Sequence, residues 1–315
     1  MHYKQATESS HTDYQRWYKN LFPCHFLSGL LFFNSSFWHT ISPLVKIHAY
    51  IDYCINIPFE GKILELTTLV QISDIHIGSL YDQSIFDKIV NEVNELHPNA
   101  IVVTGDLTDE GILPQFERAR EQLRKFECRD VIVIPGNHDY RHTGYLIFKK
   151  FFSTNQVYDF SNVLLMTLGT SRPDRDEGEV GYRQLSWMQD TLQSIQRKKK
   201  KTVIAMHHHL IGIPDTGTDK IIILDAGDVL RVCLESHVDL VLCGHKHRPW
   251  MWNLGSLEIV YAGTASSSRF RGFFQNSYNI IEIADEQISV ALKIVGGKKF
   301  QLSDLVSKYS SFLDL

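Results

Sequence analysis

The sequence has no C-x-x-C pair, and its five cysteines (Cys24, Cys54, Cys128, Cys233, Cys243) are odd in number and far apart. That spacing excludes a disulfide framework and a thiolate zinc site. It suits a reducing, cytoplasmic setting in which the thiols serve as small buried hydrophobes. Positive charge is not in excess, since the formal net charge is −4 at pH 7. Extended nucleic acid is therefore not an expected partner, because it requires a basic stripe, and any attraction for phosphate has to be local. The opening MHYKQATESS lacks the basic region and apolar core of a secretory signal. Nor does any uninterrupted apolar run reach the ~20 residues of a spanning helix. Residues 21–45 come nearest, being free of Asp, Glu, Lys and Arg, but Pro23, Gly29, Asn34 and Pro43 interrupt them. That segment suits helices packed on the domain or on a second copy in a homodimer, with peripheral membrane association as the alternative.

What is present is a repeating pattern. Short runs rich in Val, Ile and Leu at Leu66–Ile72, Ala100–Thr104, Val131–Ile134, Val163–Leu168, Thr202–Met206, Leu240–Cys243 and Leu257–Ala262 read as buried strands. Between them, Ser84–Leu96, Pro114–Phe126, Tyr182–Ile195 and Ala226–Glu235 place apolar residues at helical spacing. This alternation predicts an α/β fold. After Leu257 the pattern changes, and Tyr278–Ile283 and Ile288–Val295 read as antiparallel strands joined by the turn Ala284–Gln287. We expect an N-terminal extension over residues 1–62, a catalytic domain over 63–300, and a terminal helix or tail over 301–315. Arg197–Lys201 (RKKKK) is expected in a solvated loop.

The polar residues collect where the strands end. Leu66–Ile72 runs into SDIHIG with Asp74 and His76; Ala100–Thr104 into GDLTDEG with Asp106; Val131–Ile134 into PGNHD with Asn137, His138 and Asp139. Thr202–Met206 runs into the triplet His207–His209, and Leu240–Cys243 into GHKH with His245 and His247. Groups beyond the carboxyl ends of strands in an open α/β sheet share one crevice. In Asp74-x-His76 and His245-x-His247, an extended backbone would point both side chains the same way. Three oxygen donors with four imidazoles exceed what one tetrahedral zinc takes. Two hard or borderline divalent cations sharing a carboxylate fit better.

This ordered set resembles the calcineurin-like metallophosphoesterase superfamily over about Leu66–Ile283, and within it is most similar to the class III cyclic nucleotide phosphodiesterases. GDLTDEG and the stretch Glu177–Leu192 contribute to the latter similarity. The resemblance implies a four-layer α/β/β/α sandwich. It implies that Asp74, His76 and His247 hold one metal, that Asn137, His207 and His245 hold a second, and that Asp106 bridges them. No proline follows the triplet here, so His208 remains the alternative to His207, the other histidines lining the substrate pocket. The metals expected are iron, manganese or zinc in a divalent or mixed-valence pair.

The implied reaction is hydrolysis of a cyclic nucleotide or other small phosphodiester by a metal-bridging hydroxide. His138 would act as general acid and, with Asn137, bind the phosphoryl group. Asp139 either orients His138 or caps the loop. His208 and Arg269 are further candidates for substrate contact, and Trp250, Trp252 and Phe270 either stack on a base or pack in the core. A hydrolase of lipid-linked pyrophosphate, a nuclease-like phosphoesterase and a non-catalytic scaffold are the alternatives.

Overall fold

The computed structural model describes residues 65–195, 200–216 and 221–313. The expectations for residues 1–62, including membrane or subunit contact through 21–45, and for most of RKKKK fall outside the described residues.

Chain order alternates as the hydrophobic pattern requires. β1 (Thr67–Ile72), β2 (Ala100–Val103) and β3 (Val131–Val133) are separated by the helices α1 (Gln83–Leu96) and α2 (Leu113–Leu123). In α1 the buried residues Phe86, Ile89, Val90 and Val93 recur at three- and four-residue steps, which gives one apolar face to lay on a sheet. Its start is fixed by Asp82, whose carboxylate accepts from the Ser84 and Ile85 amides, and its end by His97 in a left-handed conformation. Then follow α3 (Gly144–Phe151), β4 (Val157–Asp159), β5 (Val163–Thr167), α4 (Tyr182–Ile195), β6 (Lys201–Ala205), α5 (Ala226–Glu235) and β7 (Leu240–Cys243). A run of strands, β8 (Trp250–Leu254), β9 (Leu257–Tyr261), β10 (Ser277–Ile283), β11 (Ile288–Ile294) and β12 (Lys299–Gln301), leads to α6 (Leu302–Leu313).

The strands form two six-stranded sheets, in the orders β12-β11-β10-β1-β2-β3 and β4-β5-β6-β7-β9-β8. β1, β2 and β3 run parallel, as do β5, β6, β7 and β9, while β10–β12 and the edge strands β4 and β8 are antiparallel additions. Three apolar layers hold this together. Val70, Ile72, Ile101 and Val103 pack with Phe86, Phe116 and Phe148 of α1, α2 and α3. Ile204, Val241 and Ile259 pack with Met188, Leu192, Val229 and Val232 of α4 and α5. Between the sheets, Leu69, Val102 and Ile281 of one meet Leu165, Val203, Leu242 and Val260 of the other. The four-layer α/β/β/α order expected from the sequence is the one observed.

Trp250 and Trp252 belong to the layer under α4 and α5, with the Trp252 indole N–H donating to the Gly212 carbonyl, so they pack rather than offer a stacking face. Cys128, Cys233 and Cys243 are free thiols, the last two buried. Among the described residues no helix is long and apolar enough to cross a membrane.

Leu242 lies fully buried between the sheets, one residue before β7 ends. Leu242→Ala is expected to lower the unfolding free energy by about 2–5 kcal/mol, read from urea denaturation.

Candidate metal centre

The parallel ladders continue past the strand ends, and this places the polar residues. Beyond β1 and β2, the Asp74, His76 and Ile77 amides donate to the Gly105, Asp106 and Leu107 carbonyls at 3.0, 2.9 and 2.8 Å. In the second sheet the Gly244 amide donates to the His207 carbonyl at 2.9 Å. All seven sequence-predicted metal ligands are buried and meet in one place. The route differs from expectation in one respect. Asp74, His76, His245 and His247 are not extended: their φ values are 54°, 51°, 77° and 52°, and Asp106 is at 51°. Left-handed turns, rather than strand alternation, aim these side chains inward.

Two donor clusters result. In the first, His76 Nε2 and His247 Nε2 are 3.0 Å apart, with Asp74 Oδ1 3.3 Å from His247 Nε2 and Asp106 Oδ2 3.6 Å from His76 Nε2. The far side of each ring explains the orientation. His247 Nδ1 faces the Arg269 carbonyl, and His76 Nδ1 lies 3.4 Å from Asp109 Oδ1, so both Nε2 atoms present lone pairs inward. Asp74 Oδ1 is buried with no hydrogen bond. With the protons on the Nδ1 atoms, lone pairs of two imidazoles and a carboxylate face one another, an arrangement that a divalent cation satisfies.

In the second cluster His207 Nδ1 meets the Thr104 carbonyl at 2.7 Å, turning Nε2 toward Asn137 Oδ1 at 3.2 Å and Asp106 Oδ2 at 3.5 Å. His245 Nδ1 is 3.0 Å from the same Asn137 oxygen. Asp106 Oδ2 therefore lies within 3.6 Å of an imidazole from each cluster. Burial lowers the pKa of His76 to about 3, with Asp109 opposing, and lowers those of His207 and His245 as well. These imidazoles are neutral at pH 7, the form a metal ion requires.

The other two histidines of the triplet differ in placement. His208 lies beside His207 and His245, with ring nitrogens within 4.8 Å of theirs, and has Thr170 Oγ1 at one nitrogen and the Asp176 carbonyl at the other, at 2.8 and 3.1 Å. His209 Nε2 donates to the Gly244 carbonyl.

The role for Asp139 needs correction. Its carboxylate does not reach the His138 ring; it accepts from the Leu107, Thr108 and Gly136 amides and from Thr108 Oγ1, at 3.1, 2.9, 2.9 and 2.8 Å. Adjacent residues of a 3-10 turn point apart, which favours the loop-capping reading. His138 is oriented instead by Asp109, with Nδ1 donating to its carbonyl at 2.8 Å and lying 3.3 Å from Oδ1. Sequence reasoning missed Asp109, although it lies within GDLTDEG. It also missed Arg141, whose Nη2 is 3.1 Å from His138 Nε2, and Asp176, which accepts from Asn137 Nδ2 at 3.3 Å. Arg269, a substrate-contact candidate, has Nη1 3.1 Å from the same His138 nitrogen. His138, Arg141, Asp176 and Arg269 border a cleft of about 260 Å³ over the two clusters.

Residues 67–249, more than half of the chain, match the family model described as calcineurin-like phosphoesterase. The chain belongs to that family. It is a metal-dependent phosphoester hydrolase, and among the described residues Asp74, His76, Asp106 and His247, His207, His208 and His245, and His76, Asp109 and His138 form groups that could hold metal. A probable cyclic nucleotide phosphodiesterase of Coxiella burnetii is 31% identical over 192 residues, 58% of this chain and 76% of that protein. A cAMP/cGMP dual specificity phosphodiesterase of Mycobacterium tuberculosis is 26% identical over 200 residues, 57% of this chain and 61% of that protein. Among solved structures, a dimetal phosphatase from Danio rerio superposes with a TM-score of 0.58 at 12% identity, covering 75% of this chain and 98% of that one, which shows the shared fold.

A Cβ at Gly136 would lie 2.0 Å from Asp106 Oδ1 and 2.2 Å from the Asp106 amide. Gly136→Ala is therefore expected to displace Asp106, lower bound metal measured by elemental analysis and cut turnover about 100-fold, with far-UV circular dichroism unchanged.

Proposed function

We propose that the protein hydrolyses a small phosphodiester, with a cyclic nucleotide as the leading substrate, at a pair of cations. The observation that carries this is the position of Asp106 Oδ2, flanked by His76 Nε2 and His207 Nε2 of the two clusters. Asp74, His76 and His247 hold one ion, Asn137, His207 and His245 the other, and Asp106 serves both. Mixed nitrogen and oxygen donors suit iron, manganese or zinc. When bound, the ions supply Lewis acidity to a phosphoryl oxygen and to water.

The chain's own groups do the rest. Asn137 is fixed between the histidines of its cluster and Asp176, so its carboxamide stays at the cleft. His138 presents Nε2 to the cleft, in position, once that nitrogen has taken up a proton from water, to pass it to the departing ester oxygen. The Asp109 carbonyl accepts from Nδ1 and its carboxylate lies beside the same nitrogen, which holds the ring in this orientation. The cleft of about 260 Å³ has room for a phosphodiester and its immediate substituents. The relatives named for cyclic nucleotides point to the same substrate class.

Metal-loaded protein should turn over cyclic nucleotides and a simple aryl phosphodiester faster than monoesters or a lipid pyrophosphate. Turnover of monoesters alone defeats this reading. His138→Gln should lower kcat by about 10²–10⁴ with bound metal unchanged. Asp106→Asn should release metal and abolish turnover, the first measured by elemental analysis and the second by product formation.

A further inference from the structure

Two guanidiniums converge on one nitrogen at the edge of the cleft. Arg141 Nη2 and Arg269 Nη1 each lie 3.1 Å from His138 Nε2. The other arm of Arg141 donates to the Asp109 carbonyl at 2.9 Å, and Arg269 Nη2 lies 3.3 Å from Asp109 Oδ1. Because His138 Nδ1 donates to the Asp109 carbonyl, Nε2 offers a single lone pair. Two guanidiniums, which cannot lose their protons, thus converge on one ring nitrogen. Arg269 lies against the Asp109 carboxylate and Arg141 is 3.8 Å from the exposed Glu110, while Asp106 and Asp176 line the same cleft. Both arginine side chains are about one-third exposed and border the cleft.

Their backbones are anchored. The Arg269 carbonyl accepts from His247 and its amide donates to Ser267 Oγ at 3.1 Å, while the Arg141 amide closes the turn onto the His138 carbonyl. Only the side chains have room to change partners. Resting on the phosphoester reading of the cleft, we infer that Arg141 and Arg269 form an oxyanion clamp that takes a non-bridging phosphoryl oxygen of the substrate in exchange for His138 Nε2. An anionic oxygen gives two guanidiniums several lone pairs in place of one, with charge-assisted bonds to each. The exchange also uncovers the Nε2 edge toward the ester oxygen. Substrate recognition and access to His138 become one event.

The probe is inorganic phosphate, titrated calorimetrically into metal-loaded, full-length protein. Arg141→Gln and Arg269→Gln should each weaken phosphate binding about 10- to 100-fold, the loss expected for a charge-assisted hydrogen bond, with bound metal and Tm at wild-type values. Lys at either position should restore only part of the affinity, since it lacks the planar fork. Under a merely structural role, Tm or metal content would fall in step with affinity, and that result overturns the clamp. Undiminished phosphate affinity in the double Gln variant also overturns it. Phosphate affinity is read without turnover, so a protein inactive on every phosphodiester would refute the substrate class while leaving the clamp to be judged separately.

Discussion

The buried carboxylate of Asp139 is the constraint on which the centre depends. It gathers four donors from two loops: the Leu107 and Thr108 amides and Thr108 Oγ1 beyond β2, and the Gly136 amide beyond β3. Burial and the nearby Asp106 both disfavour its charge, and the donors offset that cost only in part, leaving its pKa raised to about 7. Held this way, the two loops keep Asp106 Oδ1 2.9 Å from the His138 amide. Asp106, Asn137 and His138 then move as one piece.

The centre is built from both sheets. Asp74, His76, Asp106 and Asn137 follow strands of one sheet, while His207, His245 and His247 follow strands of the other. An apolar layer alone would let the sheets slide, because hydrophobic contact has no direction. Polar pins fix the offset. Gln71 of β1 reaches across to the Cys243 carbonyl of β7 at 2.9 Å and is backed by Asn279 of β10 at the same distance. His207 reaches the Thr104 carbonyl. These few bonds set how the two half-centres meet.

Much of this was legible in the sequence, for identifiable reasons. Runs such as Leu240–Cys243 and helices such as Ala226–Glu235 are strong because they are buried on both faces or cleanly amphipathic, and their bounds match the structure. The ligand candidates were legible because each follows an apolar run. Elements with weak periodicity were not. α3 has only eight residues, β4 and β12 have three each, and β8 (WMWNL) is aromatic and half-exposed at a sheet edge. The roles of Asp109 and Asp139 were hidden for a different reason. Proximity to His138 in sequence favoured Asp139, yet a residue 29 positions away lies behind the ring.

Left-handed backbone occurs at Asp74, His76, Asp106, His245 and His247, five of the seven ligand candidates. Side chains other than glycine adopt it at a cost of about 1–3 kcal/mol each, and here the ladders running on past the strand ends maintain it. The pocket's dimensions are thus set during folding rather than by whatever ion arrives. An ion whose radius or preferred coordination departs from that preset outline would have to bend a backbone already near its limit, so discrimination among cations begins with shape, ahead of any difference in donor chemistry.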